Sequence, residues 1–444
     1  MNSVTAGLEK RLDEYFGRIG KVLGNKGQRA SFATYAQGIL SDGERKSVEP
    51  MSARACADPA RADAEHQRLL HFIGVANWSD ERVRAEAFRY ALSAITAKEK
   101  PEAWIIDDTG FLKQGEHSVG VQRQYTGSAG KVTNCQVGVS LVLATRSDQL
   151  PIDFALYLPP SWTDDRKRRS AARIPDEVEF ATKPALAMQM IRRALLAGVP
   201  RGVVLADAGY GCGADFRSEL RDLGLDYAVG VKSTTNVRRV SRDGICRGKR
   251  HRLSTVAKQL QHEGAFRRCT WRQGSRRAMS AGFARIRVQV GDAEQATLLI
   301  EWRDYETEPA NYYLISMAKV PAAMKQLVRL VMQRWRIERT YQDLKGELGL
   351  DHYEGRSYPG WHHHVSVVLA SYAFIVAERS RHFPPEARET VADHPDAIAA
   401  GAPLRGQLHH CPACGRQEDR YMAAEVPGMP SCERGDASGG GVTQ

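Results

Sequence analysis

The stretch that most constrains this chain is residues 330–348, LVMQRWRIERTYQDLKGEL. It has no proline, a single glycine near its end and many strong helix formers, so it predicts a helix. Helical rotation places four apolar residues on one stripe: Leu330, Ile337, Leu344 and Leu348. The stripe indicates that one face of this helix packs against a core.

Beside that stripe, Arg334, Glu338 and Lys345 lie within roughly 40° of one another around the helix. A carboxylate is therefore expected between two cations at the edge of a buried face. Such a group could carry chemistry, but an ordinary solvated face with an i,i+4 Arg–Glu pair has the same pattern. This stretch alone leaves both interpretations open.

The length of 444 residues predicts two or three domains, since one ordinary core would be too small for the chain. A hydrophobic content of 42% is typical of a globular protein, and the sequence has no apolar run of membrane-spanning length. The N-terminus lacks a secretory apolar segment, so we expect a cytoplasmic, nucleoid-associated protein. The eight cysteines are scattered, which favours reduced thiols.

The positive charge is concentrated in one segment. Residues 232–277 contain fourteen Lys or Arg and two acids, a net charge of +12 that accounts for the whole excess of +11 in the chain. A concentrated basic segment points to a polyanion, and nucleic acid is the default partner. A solubilising loop is the alternative.

Residues 1–95 carry apolar residues at helical spacing and predict a helical N-terminal domain, which we expect to bind DNA ends. One helix is expected to begin after Ser79, and the polar residues 42–66 are expected to form a loop. No specific helix-turn-helix signal is present, so a packing module is an equal alternative.

Strand and helix patterns alternate over residues 96–234, which we interpret as the first part of an α/β core with a mixed sheet flanked by helices. Residues 235–318 predict a β-rich basic insertion in that core. Residues 319–382 would complete the core with the helix of Glu338, and 383–444 form an irregular tail by composition.

Acidic residues lie where an active site would need them. Asp108, beside Asp107, is expected to end the first strand (103–108), and Asp207 to end a later one (202–207). Carboxylates at strand ends are accessible while their backbone is fixed. Together with Glu338 they would form an oxygen site suited to Mg²⁺ or Mn²⁺, although many α/β proteins have acids at strand ends.

Several motifs resemble insertion-sequence DDE transposases: IIDDTG at 105–110, FLKQGEHSVGVQRQYTGSAGKVTNCQVGVS at 111–140, LADAGYG at 205–211 and RWRIERTYQDLKGELGLDHYEGRSYPGWHHH at 334–364. More narrowly, these motifs resemble the branch with a β-strand insertion between the second Asp and the Glu and a Y-R-E-K signature around that Glu. Arg334, Glu338 and Lys345 meet the R-E-K spacing, whereas the tyrosine position is Val331. That departure affects a contact near the DNA phosphate.

The resemblance implies an RNase H-like fold and a triad of Asp108, Asp207 and Glu338 that binds two Mg²⁺ (or Mn²⁺) ions. Asp108 is preferred to Asp107 because the family's catalytic aspartate precedes a threonine, as in Asp108–Thr109. It also implies cleavage at terminal inverted repeats, joining of the 3′-hydroxyl to target DNA, and at least a homodimer. Arg334 and Lys345 would contact DNA phosphates beside the metals.

Two other functions stay open: a catalytically inactive or domesticated DNA-binding protein, and a structure-specific nuclease on the same fold. Trp271 and Trp302 could stack on an unpaired base, although core packing is the stronger interpretation. His362, His363 and His364 favour a role at a helix start or in DNA contact over metal binding. The HHCPAC segment, with Cys411 and Cys414, forms half of a zinc-ribbon pattern.

Overall fold

The structure is a computed structural model that describes residues 3–56, 58–241, 243–246, 248–273 and 278–383. Its first part is helical. The helices there are α1 (Ser3–Gly20), α2 (Lys26–Leu40), α3 (Val48–Ala55), α4 (Ala62–Gly74) and α5 (Asp80–Thr96), with a short 3₁₀ turn at Pro59–Arg61. Helix α5 begins where the sequence predicts, because the Ser79 side chain accepts a hydrogen bond from the Arg82 amide. The predicted loop over 42–66 is wrong for α3 and for the start of α4.

A mixed sheet of twelve strands runs through the remaining described residues. Its core strands are β1 (Ala103–Leu112), β2 (Gln122–Thr126), β3 (Lys131–Ala144), β4 (Gln149–Tyr157), β5 (Val203–Ala206) and β6 (Tyr227–Val231). Strand β3 is antiparallel to both β4 and β1, while β1, β5 and β6 are mutually parallel. The resulting order, β4-β3-β1-β5-β6, is that of an RNase H-like sheet, so the expected fold class is confirmed.

Helices lie between and after these strands: α6 (Pro160–Thr163), α7 (Arg166–Ala172), α8 (Lys183–Leu196), α9 (Ala208–Gly211) and α10 (Ala214–Asp222). Helix α8 is capped by Thr182, whose side chain accepts a hydrogen bond from the Ala185 amide. Proline at the second helical position also suits this start, since its missing N–H would have no partner there.

The predicted insertion continues the core sheet. Its strands are β7 (Asn236–Arg239), β8 (His251–Arg252), β9 (Arg267–Gln273), β10 (Ala278–Val290), β11 (Glu294–Trp302) and β12 (Asn311–Ser316). Strand β12 pairs with β6, so the insertion covers what would otherwise be the open edge of the core. It also contains helix α11 (Leu253–His262), which the sequence analysis missed and which packs into a second hydrophobic cluster.

The stretch 330–348 spans parts of two helices rather than one: the end of α12 (Met324–Met332) and all of α13 (Trp335–Gly346). Between them the backbone switches to i→i+3 hydrogen bonds, such as Arg336 N to Gln333 O at 3.0 Å, which end the first helix and start the second. No Pro or Gly lies at this break, so the sequence pattern predicted one continuous helix. The apolar stripe is nevertheless buried at Ile337, Leu344 and Leu348.

Helix α14 (Tyr358–His382) is buried along most of its length and joins the N-terminal helices to the core. His362, His363 and His364 lie near its start. His363 contacts the carbonyls of Ile73 and Trp78, while His364 contacts Tyr35 and the Gly349 carbonyl. No helix in the described ranges is long and apolar enough to cross a membrane.

Candidate active site

Asp107 and Asp108 lie in the middle of β1 and not at its end, which corrects the prediction from sequence. The strand continues to Leu112 because β3 pairs with it along its whole length, from Ala144 to Cys135. Pairing with β5 stops earlier, at Ile106 beside Ala206. The two aspartates therefore lie just past the end of β5, next to Asp207, which follows Ala206 directly.

Asp107 belongs to a group that includes the helix of Glu338. Arg334 Nη1 donates to Asp107 Oδ2 at 2.9 Å, and Arg334 Nη2 lies 3.4 Å from Glu338 Oε1. Burial raises the pKa of Asp107 to about 7; the Arg334 charge acts in the opposite direction, and the negative charge of Asp207 adds to the rise. One guanidinium thus lies between a partly buried aspartate and a glutamate whose side chain is 65% exposed.

Asp108 faces different partners, because successive side chains of a strand point to opposite faces of the sheet. Lys183 Nζ, from the first turn of α8, donates to Asp108 Oδ1 at 3.0 Å. The Tyr210 hydroxyl donates to Asp108 Oδ2 at 3.2 Å. Two flanking elements, α8 and α9, therefore hold this carboxylate from one side.

Asp207 caps the short helix α9. Its Oδ1 accepts a hydrogen bond from the Gly209 amide at 2.8 Å, which fixes the orientation of the side chain. The other carboxylate oxygen has no hydrogen bond among those of the described residues. Asp207 thus has one oxygen available toward the space beside β1.

Lys345 does not pair with Glu338, as the helical rotation had suggested. Its Nζ donates to the Gly110 carbonyl at 2.6 Å and lies 3.3 Å from Ser128 Oγ. Burial lowers its pKa. Of the two cations predicted beside Glu338, Arg334 makes the contact and Lys345 reaches back to the active-site strand.

All five predicted site residues line one cavity of about 1070 Å³: Asp108, Asp207, Glu338, Arg334 and Lys345. Asp107 lines it too, together with residues that sequence reasoning missed: Lys183, Tyr210, Tyr125, Ser128 and Tyr341. Of these, only Lys183 could have been noticed from local sequence, because Thr-Lys-Pro marks the start of an amphipathic helix and so places Lys183 in its first turn. The others become neighbours of the acids only through the fold.

The donor chemistry of the cavity suits Mg²⁺ or Mn²⁺, because four carboxylates supply oxygen ligands. Their placement is not that of a formed metal site: among the described residues, no three Asp, Glu, His or Cys side chains are gathered closely enough to hold an ion. Arg334 and Lys183 occupy oxygens that a metal would need. The residue types fit, and the two cations must give way if ions are to bind.

The remaining residues singled out from the sequence are Val331, the two tryptophans and the two cysteines of the tail. Val331, at the position of the signature tyrosine, is buried and does not line the cavity. Trp302 is buried against Phe266, and Trp271 packs edge-on against Phe283, in line with core packing. Cys411 and Cys414 lie outside the described residues.

Comparison with known proteins decides the family. A family model described as DDE superfamily endonuclease matches residues 18–278, more than half of the chain. The chain belongs to the DDE superfamily of endonucleases. It is 30% identical over 230 residues to a probable transposase for insertion sequence element IS701 from Microchaete diplosiphon, covering 52% of this chain and 56% of that protein.

This member of the DDE superfamily thus spans about half the length of the curated relative it matches. A solved structure, the piggyBac transposase synaptic complex with hairpin DNA, matches with a TM-score of 0.43 and 11% identity, covering 87% of this chain and 73% of that chain. The RNase H-like assignment rests on the strand order described above.

Proposed function

We propose that this DDE superfamily member is a DNA transposase that binds transposon ends, cleaves phosphodiester bonds there and joins the 3′-hydroxyl ends to target DNA. The observation that carries the proposal is the shared cavity, in which Asp207, Glu338 and the two aspartates of β1 meet Arg334 and Lys345. Distant parts of the chain supply these groups, so a common location is not a consequence of local sequence.

Two divalent ions, Mg²⁺ or Mn²⁺, are proposed to be held by Asp207, Glu338 and one aspartate of β1. When bound, such ions supply activation of the attacking oxygen and stabilisation of the leaving one. The sequence favours Asp108 as the third ligand. The contacts favour Asp107, because it alone is linked through Arg334 to Glu338 and is close enough to Asp207 for its pKa to be affected.

The basic side chains of the cavity have a matching role with the DNA. Arg334 and Lys345 would neutralise the phosphate at the reaction centre, Arg334 after releasing the carboxylates it now contacts. Lys345 is already fixed by the Gly110 carbonyl, so it can present its charge without further ordering.

The basic segment at 232–277 is proposed to grip the DNA end, although its charge is partly neutralised within the insertion. Among the described residues of this segment, salt bridges with acids include Arg239 with Glu263, Arg250 with Asp292, Lys258 with Glu308 and Arg268 with Asp304. These pairs are mostly exposed, so phosphates can compete for the cations. A homodimer that pairs two terminal inverted repeats remains part of the proposal.

A strand-cleavage assay tests this function. The full-length protein is incubated with Mg²⁺ or Mn²⁺ and a labelled duplex carrying the element's inverted repeats, and with a random duplex of equal length. We expect metal-dependent nicks only at the repeat end, lost in Asp207→Asn and Glu338→Gln but retained in Asp222→Asn, an exposed acid outside the cavity.

Equal cutting of both duplexes would indicate a structure-specific nuclease. Binding without any cutting by the unmodified protein would indicate the alternative function, a catalytically inactive or domesticated sequence-specific DNA-binding protein. Cutting that survives both substitutions would overturn the assignment of the site.

A further inference from the structure

The β-hairpin formed by β2 and β3 borders the carboxylate cavity, and its turn is fastened to β1. Ser128 Oγ lies 3.3 Å from the Gly110 amide and from Lys345 Nζ, and accepts from both. The Ser128 and Thr109 hydroxyls are 3.1 Å apart. A Cβ added at Gly110 would lie 2.1 Å from Thr126 Oγ1, so the hairpin packs directly on the strand. These contacts hold the hairpin in a fixed position beside the two aspartates.

Tyr125, near the end of β2, extends from this fixed hairpin with 62% of the residue exposed. It lines the cavity that contains the carboxylates. Its side chain makes no hydrogen bond, ion pair or ring contact with any described residue. Val132, opposite it on β3, is 55% exposed but does not line the cavity, so Tyr125 is the exposed apolar residue of this pair that faces the acids.

We propose that Tyr125 is the base-stacking residue of the active site, which packs its ring on an unpaired nucleobase next to the phosphate that reacts. This inference rests on the proposed function, since it needs a DNA strand in the cavity. It adds a residue outside the acids and cations already discussed.

The chemistry of the cavity favours a nucleobase over other apolar ligands. The remaining walls carry Asp207, Glu338, Arg334, Lys345 and Lys183, which would lose solvation without compensation against a lipid chain or an apolar peptide. A nucleotide combines a phosphate for the cations with a flat aromatic face for the tyrosine. Stacking of this kind tolerates any base, because every base has a π-face.

The fixed position of the hairpin makes such a contact effective. An aromatic ring on a mobile loop would lose conformational freedom on binding, whereas the backbone around Tyr125 is already ordered by pairing with β3 and by the Ser128 contacts. The ring can therefore position the strand relative to the acids.

Fluorescence of 2-aminopurine tests the proposal. The probe is a labelled duplex with a short single-stranded extension that carries 2-aminopurine, one position at a time from the junction outward. Full-length protein is added with Ca²⁺, so that binding is measured without cutting. We expect quenching at one position in the wild type and in Tyr125→Phe, and its loss in Tyr125→Ala with about tenfold weaker binding.

Tyr305→Ala is the matched control, since Tyr305 is 70% exposed but does not line the cavity. We expect this variant to quench 2-aminopurine fluorescence to the same extent as the wild type. The same quenching in Tyr125→Ala and wild type would overturn the stacking role while leaving DNA binding, measured by anisotropy, intact. If Tyr125→Phe also loses the quenching, the stacking role is overturned, and the tyrosine contacts DNA through its hydroxyl instead. A wild-type protein that does not bind the duplex at all would overturn the proposed function itself.

Discussion

Asp107 and Asp108 are adjacent in the chain, but their surroundings make them chemically different. Asp107 is partly buried and shares Arg334 with Glu338, while Asp108 is held by Lys183 and Tyr210. Both carboxylates line the cavity, but Asp107 shares a cation with Glu338, whereas Asp108 accepts hydrogen bonds from a lysine and a tyrosine. We therefore expect Asp107 to be the metal ligand and Asp108 to support it. The difference arises because a strand directs successive side chains to opposite faces.

Paired isosteric substitutions separate these roles. We expect Asp107→Asn to abolish Mn²⁺ binding, and Asp108→Asn to weaken it by about tenfold, as loss of a residue that supports a ligand does. Electron paramagnetic resonance of free Mn²⁺ during titration measures both without relying on activity. If Asp108→Asn abolishes binding and Asp107→Asn does not, Asp108 is the ligand, as predicted from sequence.

Arg334 holds Asp107 and Glu338 in the place where a cation is expected. Because the guanidinium and the metal compete for the same carboxylates, we expect Arg334→Gln to bind Mn²⁺ about tenfold more tightly while cutting DNA more slowly. Arg329→Gln, which removes a charge from α12 outside the cavity, controls for the general effect of net charge. Weaker Mn²⁺ binding in Arg334→Gln would show that Arg334 supports the ligands and does not compete with the metal.

At the scale of elements, helix α14 packs against both the N-terminal helices and the core sheet and so connects them. His364 is buried at its start, where Nε2 donates to the Gly349 carbonyl at 3.0 Å and Nδ1 accepts from the Tyr35 hydroxyl at 2.8 Å. Burial lowers the pKa of His364 to about 4. The three histidines that invited a metal or DNA interpretation therefore include one whose contacts hold two parts of the fold together.

This lowered pKa predicts a loss of stability in mild acid. The unfolded chain binds a proton at His364 below about pH 6.5, whereas the folded protein does not until about pH 4, so stability falls as the pH falls between these values. One such group gives a slope of up to about 1.4 kcal/mol per pH unit. Denaturant unfolding at pH 7.5, 6 and 5 measures it.

His364→Gln should make that slope smaller by the share of one group, because burial also lowers the pKa of the neighbouring His362 to about 4 and that group keeps contributing. The variant lowers stability at every pH by removing the Tyr35 and Gly349 contacts. The exposed His117→Gln variant should keep the slope of the wild type. Equal slopes in all three proteins would mean that other groups carry the pH dependence.

For the whole molecule, local patterns predicted a mixed sheet flanked by helices, whereas the RNase H-like fold and the choice of acids came from the family resemblance. Ser79 and the apolar spacing after it define α5, and the apolar runs at 103–106 and 204–206 are buried, as their composition indicates. Strand β2 was missed because QRQYT is polar. Strand β1 was predicted too short because its last residues adopt strand structure only through pairing with β3. The contacts of Asp108 with Lys183 and Tyr210 join residues far apart in the chain, and no local pattern records them.

The sheet also shows that the insertion is structurally continuous with the core. Strand β6 is buried at all five residues and lies between β5 and β12, with Gly230 opposite Tyr313. The second hydrophobic cluster spans both parts, since Val231 of β6 packs with residues of the insertion. Stability of the catalytic core should therefore depend on the insertion.

Replacement of residues 235–318 by a short Gly/Ser linker tests this dependence. We expect aggregation or loss of cooperative unfolding, because the open edge of β6 would expose unpaired backbone groups and the valines of a buried strand. Shortening only the connection between β7 and β8, most of whose described residues are exposed, should leave the melting temperature within a few degrees, roughly the effect of an ordinary surface change. Size-exclusion chromatography and calorimetry compare the two proteins. A monodisperse, cooperatively unfolding core without the insertion would mean that β6 tolerates an open edge and that the insertion serves DNA binding alone.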